Sequence, residues 1–239
     1  MIKLWQHWCH KYLSIFVLFQ IMMNKLLLYI LFFLVAGFGV NAQEMNATTI
    51  LNKSIRYHDP NGEWKRFNHE MEFVSERPKG PDRKSTVVIN NNKGYFSLTE
   101  TGNHMEIIMD SCLQVPVGKT CDNVKRTRNY YVYLWGLPMK LKDEGTVLDP
   151  KVVEEKFEGV DCYVLRVPYD EDTWFFYIDK STYAMKAYMF YKDEPTKKGE
   201  LIYLDEEAVV GDMKIPKKRK WVTTPEGNLL GTDILISSK

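Results

Sequence analysis

From Arg66 to the C-terminus the sequence is a succession of short stretches with period-two alternation, separated by brief polar or glycine-containing turns. That pattern constrains the fold more than any other feature. Strands joined by connections this short pair antiparallel, because a parallel neighbour needs a long crossover. In KRFNHEMEFVS, Phe67, His69, Met71 and Phe73 fall on one side and Arg66, Asn68, Glu70 and Glu72 on the other, as in a half-buried strand. Further strands are expected in STVVI, GYFSLTE and NHMEIIMD, and after residue 150 in KVVEEKF, VDCYVLRV, TWFFYI, TYAMKAYMFY, GELIYLDE, IPKKRKWVTT and NLLGTDILI. The expected fold is mainly β (α+β), a strongly curved antiparallel sheet of about ten strands, since open sheets of that size curl.

Helical periodicity appears twice. Ile50, Leu51, Ile55 and His58 make a narrow apolar stripe, capped by Asn46 or Thr48 and stopped by Asp59-Pro60-Asn61-Gly62. The one long irregular region, residues 111–149, contains a second short helix read as Arg128 to Trp135, ended by Gly136 and Pro138. Helices so few and so narrow in their apolar face cover a sheet; they do not form a bundle.

The first 42 residues fall outside the folded part. In MMNKLLLYILFFLVAGFGVNAQEM, Lys25 precedes an apolar core over Leu26–Ala36, and Val40 and Ala42 stand at the −3 and −1 positions of a cleavage site. Residues 22–42 are read as a signal peptide and 1–21 as an over-extended start. The apolar core is short against the ~20 residues of a membrane-spanning helix. Residues 43–239 are then expected to form one exported domain, periplasmic or secreted and monomeric. No cysteine stands immediately after the cleavage site, so a lipid anchor at the mature N-terminus is not expected. Cys112 and Cys121 can close a short disulfide loop in an oxidising compartment, whereas Cys162, in line with Val160 and Val164, reads as a buried thiol. Other pairings stay open.

Chemical motifs are sought and mostly not found. Gly118-Lys119-Thr120 lacks the upstream glycine of a phosphate loop, because Leu113 stands there. His69-Glu70 lacks the second histidine of a zinc protease, because Phe73 stands there. No nucleophile elbow or C-x-x-C pair occurs. The pairs His69/Met71 and His104/Met105 are too common to mark a metal site, and Asp170-Glu171-Asp172 lacks the oxygen spacing of a calcium loop. The sequence therefore calls for no metal and no cofactor. A formal net charge of +1 argues against nucleic acid. Lys217, Lys218, Arg219 and Lys220 could touch anionic lipid head groups in a transient membrane contact, but a strand whose cations guard a sheet edge is the favoured reading.

The stretch WFFYIDKSTYAMKAYMFY, residues 174–191, departs from ordinary alternation. Trp174 and Phe176 face one way, Phe175 and Tyr177 the other; Tyr188 and Phe190 oppose Met185, Ala187, Met189 and Tyr191. Both faces need apolar cover. If the helices fill the concave side these aromatics are core, and if they only roof it a ligand cavity remains.

Together with ILNKSIRYHDPNGEWKRF, YYVYLWGLPMKLKDEGTVLD and IPKKRKWVTTPEGNLLGTDIL, that stretch resembles an exported bacterial domain of unknown function. The domain is related to the lipoprotein-carrier superfamily of LolA, LolB and LppX-like proteins. The resemblance spans nearly all of residues 43–239 and rests on the character and order of segments, with no catalytic motif. It implies a half-open β-barrel roofed by helices, with a hydrophobic cavity for acyl chains. The expected function is thus non-enzymatic binding of a hydrophobic small molecule, lipid or lipoprotein. Trp135, Met139, Trp174, Phe176, Tyr188 and Phe190 are the expected lining. Two other readings are a structural or adaptor scaffold, and a lipid or glycan hydrolase with His69 or His58 as base.

Overall fold

The computed structural model describes residues 45–239; the expected signal peptide and its cleavage site lie outside them. Twelve strands form one antiparallel sheet: β1 Asn68–Glu76, β2 Arg83–Asn90, β3 Tyr95–Glu100, β4 Asn103–Ile108, β5 Ser111–Gln114, β6 Val153–Phe157, β7 Val160–Pro168, β8 Thr173–Asp179, β9 Met185–Asp193, β10 Lys198–Val210, β11 Met213–Thr224 and β12 Leu229–Ser238. Among the described residues two α-helices accompany them, α1 Ala47–His58 and α2 Cys121–Trp135. The mainly β, curved and unclosed architecture expected from the sequence is present. The one strand without an expected counterpart is the edge strand β5, whose four residues are too few to show a period.

The strand order, β5-β4-β3-β2-β1-β12-β11-β10-β9-β8-β7-β6, explains where the helices go. First and last strands pair at the centre, and the meander is broken only between β5 and β6. The chain leaves one edge of the sheet at β5 and re-enters at the opposite edge at β6. Everything between them, α2 included, must span the mouth of the curve. Helix α1 touches both β11 and β7, strands four places apart in the sheet. One helix reaches both only across a concave face.

Each helix begins for an identifiable reason. The Asn46 side chain accepts the Thr49 N–H at 2.9 Å, and Asp59 ends α1 while its carboxylate takes the N–H groups of Glu63 and Trp64. Helix α2 starts at Cys121, earlier than the expected Arg128. Thr120 and Asn123 form a reciprocal capping box, and only Val124 is buried before Leu134, so the first turns carry no apolar stripe to betray them. Cys112 and Cys121 are joined, with 5.8 Å between their Cα atoms, which ties the start of α2 to β5.

Three apolar clusters result. The first holds Met71, Phe73, Val87, Ile89 and Phe96 of β1–β3 against Trp64, Trp135 and Met139. The second holds Leu165, Phe176, Ile178, Tyr188 and Ile202 of β7–β10 against Ile50 and Leu51 of α1, Leu134 of α2, and Leu137 and Leu141 beyond it. The third lies on the face turned from the helices and joins Cys162, Val164, Tyr177 and Ala187. There Phe157 and Tyr203 lean over the strands, their rings 5.5 Å apart, with Lys220 4.2 Å above Tyr203. That cluster covers the second apolar face of the aromatic hairpin. It also encloses the free Cys162 thiol, which burial pushes up to about 11.

Candidate functional site

The β8–β9 hairpin is fixed at its turn before its aromatic wall begins. The Asp179 carboxylate accepts both N–H and O–H of Ser181, and Tyr183 takes a positive φ of 65°. Lys53 of α1 donates to the Tyr183 hydroxyl at 3.0 Å. His58 completes the anchor. Its Nε2 accepts the Met185 N–H at 2.9 Å, and its Nδ1 lies 2.7 Å from the Lys214 carbonyl, which fixes the proton on Nδ1. Both ring nitrogens are committed to the backbones of β9 and β11, so His58 has no free position to act as a base.

Burial holds His58 well below the usual histidine range. The ring is neutral when folded and takes a proton near pH 6.5 when unfolded. The unfolded state therefore binds the extra proton, and stability present above pH 6.5 is lost as pH falls. We expect up to about 1.4 kcal/mol lost per pH unit below 6.5. Urea unfolding at pH 7.5 and pH 5.0 measures it, and His58→Gln should flatten that slope. An equal slope in both proteins would remove His58 as its cause.

On the concave face the register sets Trp174 opposite Phe190 and Phe176 opposite Tyr188. Trp174 stacks on Phe190 at 4.9 Å and on Tyr188 at 5.8 Å. Phe176 and Tyr188 are 0 % and 1 % exposed, whereas Trp174 and Phe190 are only half-buried. The wall thus runs from a partly open lip into the second cluster. Helix α2 meets the lip through Tyr133, edge-on to Trp174 at 5.4 Å, with its hydroxyl 3.0 Å from that of Tyr169. The Trp174 indole N–H donates to Asp172 at 2.8 Å, and burial raises that carboxyl.

Of the six expected lining residues, the structure brings together Trp174, Phe176, Tyr188 and Phe190 in the second cluster and sets Trp135 and Met139 in the first. Trp135 packs on Phe73 at 4.5 Å. None of the six lines the three described surface grooves of about 600, 340 and 220 Å³. Leu134, Leu137 and Leu141 pack on the second wall, and Trp135 and Met139 on the first.

Arg219 joins the two groups, and the sequence reading missed it. The KKRK run was assigned to an edge strand or a membrane contact. It lies instead in β11, an interior strand between β10 and β12, and alternation splits it. Lys217 and Lys218 pair with Glu206, and Lys220 covers Tyr203. Arg219, 2 % exposed, points in under the helices. Its guanidinium lies 3.3 Å from the centre of the Trp135 ring. The available signal was period two itself, which puts Arg219 in line with Ile215 and Trp221.

The other chemical candidates stay apart. The His69 Nε2 lies 3.2 Å from Glu63, and no hydroxyl or thiol bonds to that ring among the described residues. His104 sits on an exposed hairpin beside Thr99. No group of three potential metal ligands occurs among the described residues.

A family model described as a family of unknown function, DUF6503, matches residues 25–110 and 108–238. The fold is similar to that of a LolA superfamily protein from Nitrosomonas europaea, at 10 % identity and TM-score 0.50, covering 81 % of this chain and 93 % of that one. It is also similar to a DUF1329 family protein from Desulfovibrio piger, at 10 % identity and TM-score 0.50, covering 80 % and 92 %. No curated protein matches the sequence.

Proposed function

The chain belongs to DUF6503, a family of unknown function, and from that premise we propose that it is a non-enzymatic, exported envelope protein that holds a hydrophobic ligand. The ligand is the acyl portion of a lipid or lipoprotein, taken between the curved sheet and the helices. The observation that carries this reading is the graded aromatic wall, from half-buried Trp174 and Phe190 at the lip to buried Phe176 and Tyr188 inside. A hairpin serving only as scaffold has no need of a stack that continues past the lip. The wall is apolar and lacks a nucleophile, so its work is contact and shape. Admission of a chain displaces Leu134, Leu137 and Leu141 from the wall. Their segment contacts the sheet by side-chain packing and one long bond from Arg219 to the Leu134 carbonyl, and it belongs to no strand ladder, which makes it the part that can yield.

Native mass spectrometry of the protein expressed from its full sequence, exported to a periplasm and purified without detergent, tests this. We expect one acyl-chain species per protein, released by organic solvent. A clean mass that stays unchanged after incubation with lipids from the same membranes would remove the reading and favour the scaffold.

A further inference from the structure

A buried guanidinium needs partners, because both its charge and its five N–H donors lose water. Arg219 is poorly provided. Its two terminal nitrogens lie 3.4 Å from the carbonyls of Pro216 and Leu134, at the long limit of a hydrogen bond. The Leu134 carbonyl belongs to the C-terminal end of α2, whose dipole offsets part of the charge, and the Trp135 face offsets more. No carboxylate forms an ion pair with it among the described residues. Asp233, its cross-strand partner on β12, is bonded instead to the Ser75 hydroxyl at 2.6 Å.

Around this cation Arg219 Nε and Trp221 Nε1 have no partner within the protein, and the Tyr188 hydroxyl, whose oxygen faces the guanidinium, finds no acceptor for its O–H. Tyr188 is close enough to feel the guanidinium directly. Its ring lies 6.3 Å from that of Trp221, two residues from Arg219 on the same face of β11. All three side chains are more than nine-tenths buried. Orphaned donors in an apolar core are costly, and a charged one most of all. The cluster sits at the seam of the two apolar clusters, with Trp135 in the first and Tyr188 and Trp221 in the second. A groove of about 220 Å³, lined by Tyr130, Trp221 and Asp233, opens at the Trp221 side of this cluster; Arg219 and Tyr188 lie behind it.

We propose that Arg219, Tyr188 and Trp221 form an internal anion site and that its occupant is a single-chain amphiphile with a carboxylate head. This rests on the hydrophobic-ligand reading and gives the ligand its class. A carboxylate has two oxygens with lone pairs for three donors and a charge that neutralises the guanidinium. Its alkyl chain lies along the Tyr188–Trp174 wall toward the lip. A neutral head would leave the charge unmatched, and a two-chain lipid would need a second apolar path beside the first.

Titration of the full-length protein with hexadecanoic acid and with its methyl ester, same chain and no charge, tests the site. We expect the acid to bind about 10–100-fold more tightly, the value of one or two charge-assisted hydrogen bonds. In Arg219→Met the acid should lose this advantage. In Trp221→Phe, which removes one N–H and keeps a ring, the advantage should fall by about 5-fold. Equal binding of acid and ester by the wild type overturns the carboxylate site and leaves the hydrophobic-ligand reading standing. Binding of neither overturns both. If Arg219→Met does not fold, Trp221→Phe and Tyr188→Phe decide, and an unchanged preference for the acid in both overturns the assignment.

Discussion

Phe176→Asp should abolish the folded protein. Phe176 is fully buried between Leu165 and Tyr188, its partners across β7 and β9, with Trp174 stacked 6.0 Å away. Removing a buried phenylalanine ring costs about 3–5 kcal/mol. The carboxylate adds an unpaired charge in an apolar cluster, a penalty of several kcal/mol or an equivalent rise in its pKa. The sum reaches the ~5–15 kcal/mol that holds a typical domain together. Trp174→Ala is the informative contrast. That side chain is half-buried at the lip, so its loss should cost about 1–2 kcal/mol, leave the circular dichroism spectrum intact and remove most of the bound acyl species. Thermal melts and native masses of both variants provide the measurement. A Phe176→Asp protein that melts like the wild type would place the ring against solvated space and make the wall an open cavity.

The contrast also marks what could be read from the sequence. Period two assigned every strand but β5 and most of the two hairpin faces, because one buried face writes its spacing directly into Phe67–Phe73 and Trp174–Tyr177; Met185, expected opposite Tyr188, is turned into the second cluster with it by the bulge at Tyr177/Ile178. The resemblance to the carrier superfamily gave a fold that the similarity to a LolA superfamily protein bears out, and the DUF6503 match bears out a domain of unknown function. The start of α2 was not legible, since a polar capping box and a single buried valine give no amphipathic signal. Arg219 was hidden for a different reason. Four consecutive cations look like one surface patch; period two sets Arg219 in line with Ile215 and Trp221, but that signal is decisive only once the strand is placed inside the sheet. Edge and interior strands share the same local pattern; pairing partners are a property of the whole chain.

The same dependence on pairing makes Gly199 a second point of large effect. It sits at the bulge where β10 joins β9, facing Tyr191, and the register continues as Glu200 to Phe190, Leu201 to Met189 and Ile202 to Tyr188. A Cβ on Gly199 would lie 1.8 Å from the Phe190 carbonyl oxygen and 2.9 Å from the Tyr191 Cα. Both are backbone atoms, so no rotamer change relieves the clash, and the strands must part or slip. A slip of one residue would turn the side chains of β10 to the opposite face and take Ile202 away from Tyr188. Gly199→Ala should therefore cost about 3 kcal/mol or more, at the upper end of overpacking, which for a chain of this size lowers the Tm by roughly 10 °C. Gly227→Ala separates this steric cost from the ordinary cost of replacing glycine. Gly227 has a positive φ of 72° but open space around it, so the change should cost only about 1 kcal/mol. Thermal melts of the two variants, with hydrogen exchange at the β9 and β10 amides, report the difference. If Gly199→Ala melts as Gly227→Ala does, the close approach of β10 to β9 does not hold the aromatic wall in register, and the lip formed by Trp174 and Phe190 needs another support.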